Sequence, residues 1–148
     1  MKLSSTQGLL HPGAIEIPHI LIVDDHVDCL QLLVCMLEMT GCSYATASCA
    51  SEALCLVQDQ TFDLALVDIV LPDLSGIDLL NQIKQQRRQS RMIAIAVTAL
   101  AFTRDQEMIR HAGFHDYLCK PYLLKDLERM LRNHLNGELL PTSNSICF

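Results

Sequence analysis

The feature that most limits what this chain can fold into is a set of short apolar runs that each stop abruptly at a polar residue. Ile20-Leu21-Ile22-Val23 stops at Asp24-Asp25, Leu64-Ala65-Leu66-Val67 stops at Asp68, and Met92 to Val97 stops at Thr98. None of the three alternates polar with apolar and none has helix length, so each reads as a strand buried on both faces. Two weaker runs, Tyr44 to Ala47 and Tyr117-Leu118-Cys119, bring the number to five, the last ending at Lys120-Pro121. Helical patterns fill the intervals: Asp28 to Thr40, Ser51 to Gln58, about Ile77 to Gln86, about Thr103 to Ala112, and Leu124 to Leu135. Gly41, Gly113 and Gly137 stand where three of these would close in a left-handed residue.

Five strands alternating with five helices predict an α/β fold, a doubly wound parallel sheet with helices on both faces. Right-handed crossovers prune the topologies, and the flavodoxin-like strand order 2-1-3-4-5 is the expected one. At 148 residues the chain suits one well-cored domain, predicted over residues 19–136 between tails at 1–18 and 137–148. Half of the residues are hydrophobic and 19% are charged, a balance that excludes disorder. The net charge of −6, with no Lys/Arg-rich stretch, argues against a nucleic-acid partner. The seven cysteines include no C-x-x-C pair, so buried or idle thiols are expected rather than a zinc or redox site. No run has the length of a membrane span, and residues 1–18 hold one lysine and no continuous apolar stretch, unlike a signal peptide. A cytoplasmic location follows as the expectation.

In an open parallel sheet, ligands bind beyond the carboxyl ends of the strands. Those ends present Asp24 and Asp25, Asp68, Thr98 and Lys120: three carboxylates, a hydroxyl and an ammonium on one rim. Polar residues ordinarily follow buried strands, which would explain one or two acids but not this set. Carboxylates about 4 Å apart repel by about 4 kcal/mol per pair at an effective dielectric near about 20, so a cation belongs among them. A hard oxygen site with open positions suits Mg²⁺, which keeps waters and accepts a phosphate oxygen. Such a metal would shield a carboxylate from an anionic donor, while the lysine and the hydroxyl would take oxygens of the transferred group. His26, beside the acidic pair, is a poor ligand for Mg²⁺, because imidazole prefers softer ions.

Four motifs carry a likeness beyond the individual residues. LIVDD ending at Asp25, LVDIVLPDLSGIDLL around Asp68, the VTAL run holding Thr98, and AGFHDYLCKPY ending at Tyr122 follow in order between Ile20 and Leu135. In these the chain resembles the receiver domains of two-component response regulators, of the single-domain, chemotaxis-regulator kind. The family's proline four residues and glycine eight residues after its aspartate are matched by Pro72 and Gly76. The resemblance implies that Asp68 is the phosphoacceptor. It implies that Asp25, Asp24 (directly or through water), Asp68 and the Val70 backbone carbonyl hold Mg²⁺. Thr98 and Lys120 would contact the phosphoryl group, and Tyr117 would turn inward with Thr98 as a switch. Lys120-Pro121 matches a step that is often cis in the family. The implied partners are a sensor histidine kinase or His-phosphotransfer protein and a downstream protein target, with room for a homodimer. The implied role is a signalling phosphoacceptor, not an enzyme. Val70 and Leu100, two residues after Asp68 and Thr98, are apolar and position no hydrolytic water, which implies slow loss of the phosphoryl group.

Other readings fit less well. An aspartate-nucleophile phosphatase places a second aspartate two residues after the first, where this chain has Val70. A flavin carrier would need a Gly- and hydroxyl-rich loop where Asp24-Asp25-His26 stands. A receiver-like interaction module working without phosphorylation would be expected to have lost acidic residues. About a dozen residues follow Leu135, too few for an output domain, so output is expected through a surface read by another protein or through onward phosphotransfer. On the first helix, Leu30, Leu33, Val34 and Leu37 form the predicted core stripe, and Leu32, Cys35, Met36 and Met39 an apolar outer face. That face should be covered, either by the helices of the phosphodonor or by Leu9, Leu10, Ile15 and Ile17 of the leading tail.

Overall fold

The computed structural model describes residues 17–99 and 103–135. The elements are β1 (His19–Val23), α1 (Val27–Thr40), β2 (Ser43–Ala47), α2 (Ala50–Asp59), β3 (Leu64–Asp68) and α3 (Gly76–Ile83). A 3-10 turn (Arg87–Gln89), β4 (Ile93–Thr98), α4 (Thr103–His111), β5 (Asp116–Cys119) and α5 (Leu124–His134) complete them. The strands form one parallel sheet in the order β2-β1-β3-β4-β5, the flavodoxin-like topology predicted from the alternation of runs.

Each strand serves both faces because successive side chains point opposite ways. Leu21, Val23, Ala65, Val67, Ala94 and Ala96 meet α2, α3 and α4, whereas Ile20, Ile22, Leu64, Leu66, Ile95 and Val97 meet α1 and α5. Both faces are therefore apolar, and alternation is absent from the sequence. Each fully buried Leu or Ile contributes about 1.5–3 kcal/mol of transfer free energy before entropy is counted. Gly41 at φ 84° and Gly113 at φ 106° follow α1 and α4 in the left-handed region, as their placement suggested. Gly137 and both predicted tails, apart from Ile17 and Pro18, lie outside the described residues. The Lys120–Pro121 bond is cis. No helix among the described residues is long and apolar enough to cross a membrane.

Two local expectations need correction. Helix α3 stops at Ile83 rather than near Gln86. The 3-10 turn after it carries Gln89 inward, where its amide donates to the carbonyls of Val57 (2.9 Å) and Gln60 (2.6 Å) and accepts from the Phe62 N–H (3.1 Å). That amide pairs backbone groups at the α2–β3 turn, and the chain after Ile83 tightens to 3-10-type bonds from the Gln85 N–H to the Gln82 carbonyl and from the Gln86 N–H to the Ile83 carbonyl. The second correction concerns α1, whose buried residues are Leu33, Met36, Leu37 and Thr40, with Leu30 and Val34 half-buried at the edge. The i, i+3, i+4, i+7 stripe is real but begins at Leu33, and Met36 belongs to the core. The outer apolar face is left with Leu32, Cys35 and Met39.

Candidate functional site

Register brings the polar strand ends together. β1 and β3 are neighbours with Val23 opposite Val67, so Asp24 and Asp68 are the next residues on adjacent strands. β3 and β4 pair Asp68 with Val97, and β4 and β5 pair Thr98 with Cys119, so Thr98 and Lys120 arrive at the same rim. The Lys120 N–H donates to the Thr98 carbonyl at 2.8 Å, fixing the end of β5 against β4.

The side chains meet accordingly. Lys120 Nζ donates to Asp24 Oδ2 at 3.0 Å and to Asp68 Oδ2 at 3.2 Å, bridging the two carboxylates. Asp68 Oδ1 accepts from the Val70 N–H at 3.0 Å, and Asp24 Oδ1 accepts from the His26 N–H at 2.9 Å. Asp24, Asp68 and Thr98 are all buried, whereas Asp25 and Val70 face outward. Burial pushes the Asp68 carboxyl up, with the Asp24 charge adding to it, while the Val70 N–H and the Lys120 charge pull it down. Burial works against the Lys120 ammonium, but the Asp24 and Asp68 carboxylates outweigh it and hold its proton more tightly than usual. The result is a concentrated patch of negative charge with one fixed ammonium at its inner wall.

The donor set suits a hard divalent cation. One ligand atom from each of Asp24, Asp25, His26 and Asp68 lies within 4.8 Å of the others. The three carboxylates are oxygen ligands, the kind Mg²⁺ takes, and the exposed side of Asp25 leaves an open approach.

The remaining expected residues fall nearby or beyond description. Tyr117 is half-buried against the α2–α4 side of the core and borders a surface cleft of about 400 Å³ between β5 and α5. Leu100 lies outside the described residues, and Val70 is exposed. Two contacts escaped the sequence. Asp73 accepts from the N–H groups of Ala50 and Ser51, both at 3.0 Å, and ties the loop after β3 to the start of α2. Those bonds hold its carboxyl below the usual range. Gly76 sits where a Cβ would come within 2.4 Å of the Asp68 carbonyl oxygen, so the loop packs directly on the backbone of the site. The glycine was visible in the motif, but its close approach was not.

Comparison with known proteins agrees with this geometry. The family profile described as response regulator receiver domain matches residues 20–132. The polar-differentiation response regulator DivK of Brucella ovis is 30% identical over 116 residues, covering 78% of this chain and 94% of that protein. A CheY-like receiver domain from Methanospirillum hungatei JF-1 superposes with TM-score 0.75 at 32% identity, covering 83% of this chain and 97% of that one. The receiver domain of sensor histidine kinase PA1611 from Pseudomonas aeruginosa PAO1 has a magnesium ion coordinated in its active site cleft. It gives TM-score 0.75 at 30% identity over 82% of this chain and 99% of its own. The chain spans 50% of the probable transcriptional regulator ycf27 of Cyanophora paradoxa, to which it is 32% identical. Fold, strand-end geometry and relatives agree: the chain belongs to the response regulator receiver domain family of two-component signalling.

Proposed function

We propose that the protein accepts a phosphoryl group on Asp68 from a phosphohistidine of a sensor kinase or His-phosphotransfer protein, and that the modification alters a protein-binding surface. The observation that carries this reading is the Lys120 bridge, at 3.0 and 3.2 Å, between two buried carboxylates at neighbouring strand ends. Lys120 and the Val70 N–H fix the Asp68 carboxylate in rotation, presenting one oxygen to the donor phosphorus. The new P–O bond forms as the donor's P–N bond breaks, and the leaving imidazole keeps the electron pair and takes up a proton. Lys120 then stabilises the phosphoryl oxygens, joined by the Thr98 hydroxyl, and Tyr117 follows Thr98 inward. Asp24, Asp25, Asp68 and the Val70 carbonyl would hold Mg²⁺, which when bound neutralises charge on the transferring group.

The test is intact mass after treatment with acetyl phosphate and Mg²⁺. One phosphoryl adduct is expected, mapping to Asp68 and lost in Asp68→Asn. The same adduct at equal yield in Asp68→Asn refutes the proposal.

A further inference from the structure

Two side chains that the phosphoacceptor chemistry does not use crowd the same rim. His26, which caps the start of α1, and Cys29, on its first turn, bring a ring nitrogen and a sulfur to Asp24. The three ligand atoms lie within 4.8 Å of one another. His26 Nδ1 is already 3.3 Å from Asp24 Oδ1 and 3.3 Å from Asp25 Oδ1. Thiolate and imidazole are poor ligands for Mg²⁺ and good ones for zinc. Ligands about 2.0–2.3 Å from a tetrahedral zinc lie about 3.3–3.8 Å apart, so the trio closes on an ion by movements near about 1 Å. Residues 24, 26 and 29 sit on the β1–α1 loop and one helical turn, and no strand has to move.

An independent feature points to the same place. The Tyr122 hydroxyl is buried and has no hydrogen-bond partner among the described residues, on a side chain only 9% exposed. Burial pushes this phenol up to about 12, and among the charges acting on it Cys29 comes first, ahead of Lys120, Asp24 and Asp68. A buried hydroxyl without an acceptor is costly, and a metal-bound thiolate would supply one.

We propose that Asp24, His26 and Cys29 form a zinc site, completed by water and steadied by the Tyr122 hydroxyl on the Cys29 sulfur, and that zinc there excludes Mg²⁺ by occupying Asp24. Binding replaces the thiol proton, which passes to solvent. Zinc binding stands on these residues alone, and its consequence for phosphorylation rests on the function proposed above. No paired cysteines mark such a site in the sequence, because its ligands come from a loop and a helix turn.

The full 148-residue chain, reduced and metal-free, is titrated with Zn²⁺ in competition with a chromogenic chelator and with Co²⁺ as a spectroscopic probe. Cobalt is expected to show a near-ultraviolet thiolate charge-transfer band that Cys29→Ser abolishes and that Cys35→Ser and Cys55→Ser retain. Zinc affinity should fall at least about tenfold in Cys29→Ser and in His26→Asn, with far-ultraviolet circular dichroism confirming that both variants fold. Tyr122→Phe should shift the energy of the band. In Mg²⁺-dependent labelling by acetyl phosphate, the zinc concentration that halves labelling should rise about tenfold in Cys29→Ser. A band that survives Cys29→Ser, or equal zinc affinity in that variant and the parent, overturns the site. Labelling that fails with Mg²⁺ alone while the cobalt band behaves as described overturns the phosphoacceptor reading instead.

Discussion

Burial at the end of β3 raises the proton affinity of Asp68, and the Asp24 charge adds to that, so the ionised carboxylate is held at a cost in the metal-free protein. A carboxyl raised in the folded state binds its proton more tightly there than in the unfolded chain. It therefore stabilises the fold at acid pH and loses that contribution as the pH rises through the raised value. Asp68→Asn removes the penalty: with EDTA at pH 7, calorimetry should show the melting temperature raised by about 2–4 °C, equivalent to about 1 kcal/mol. The gain should shrink as the pH falls through the raised value, where the parent carboxyl becomes protonated in the folded state. Lys120 has the opposite balance, with its ammonium retained by the two carboxylates it bridges. Lys120→Ala should bind Mg²⁺ at least as tightly in a calorimetric titration, since an ammonium repels the ion. Its labelling by acetyl phosphate should slow by about 10²-fold or more, the usual loss when one donor to developing charge is removed.

Helix α1 separates two kinds of apolar residue that one turn of sequence does not distinguish. Met36 is 9% exposed and packs in the core with Leu33, Leu37 and Leu131, whereas Leu32 is 47% exposed on the outer side. Met36→Asp places a charge in that core and should destabilise the protein by about 3 kcal/mol or more in chemical denaturation. Leu32→Asp should stay within about 0.5 kcal/mol of the parent. If α1 docks the phosphodonor, the Leu32 variant should also slow transfer from a phosphorylated His-phosphotransfer protein while leaving acetyl phosphate labelling unchanged. At the start of α3, Gly76→Ala sets a methyl group against the Asp68 carbonyl and should cost about 1–3 kcal/mol by the same measurement.

For the whole molecule, a metal ion held in the pocket would couple its binding to folding, because the unfolded chain has no preformed site. At ten times its dissociation constant, Mg²⁺ should add about 1.4 kcal/mol, a rise of about 3–6 °C in melting temperature by scanning fluorimetry. Asp25→Asn should remove most of that rise, because Asp25 is the outward-facing carboxylate of the cluster and contributes little to packing.

The sheet order and the rim of the site were legible in the sequence for one physical reason. A parallel sheet covered on both faces requires unbroken apolar strands, and each must end where its backbone meets solvent, so Asp24, Asp68, Thr98 and Lys120 announce themselves as strand ends. Their mutual register followed once the strand order was right, whereas the bridge from Lys120 to Asp24 and Asp68 appeared only in the structure. What the sequence could not contain were contacts between residues far apart along it. The inward face of α1 depends on how α5 packs beside it, which moved Met36 from the predicted outer face into the core. Gln89 is buried on a carbonyl 32 residues away, and Asp73 is tied to a helix start that precedes it by 23 residues. Cys29 looks like an idle thiol until the fold sets it beside Asp24, and Tyr122 like a routine core aromatic until its buried hydroxyl is found without a partner. Periodicity specifies which residues are buried on average, and only the packing of whole elements decides which buried polar atoms face one another.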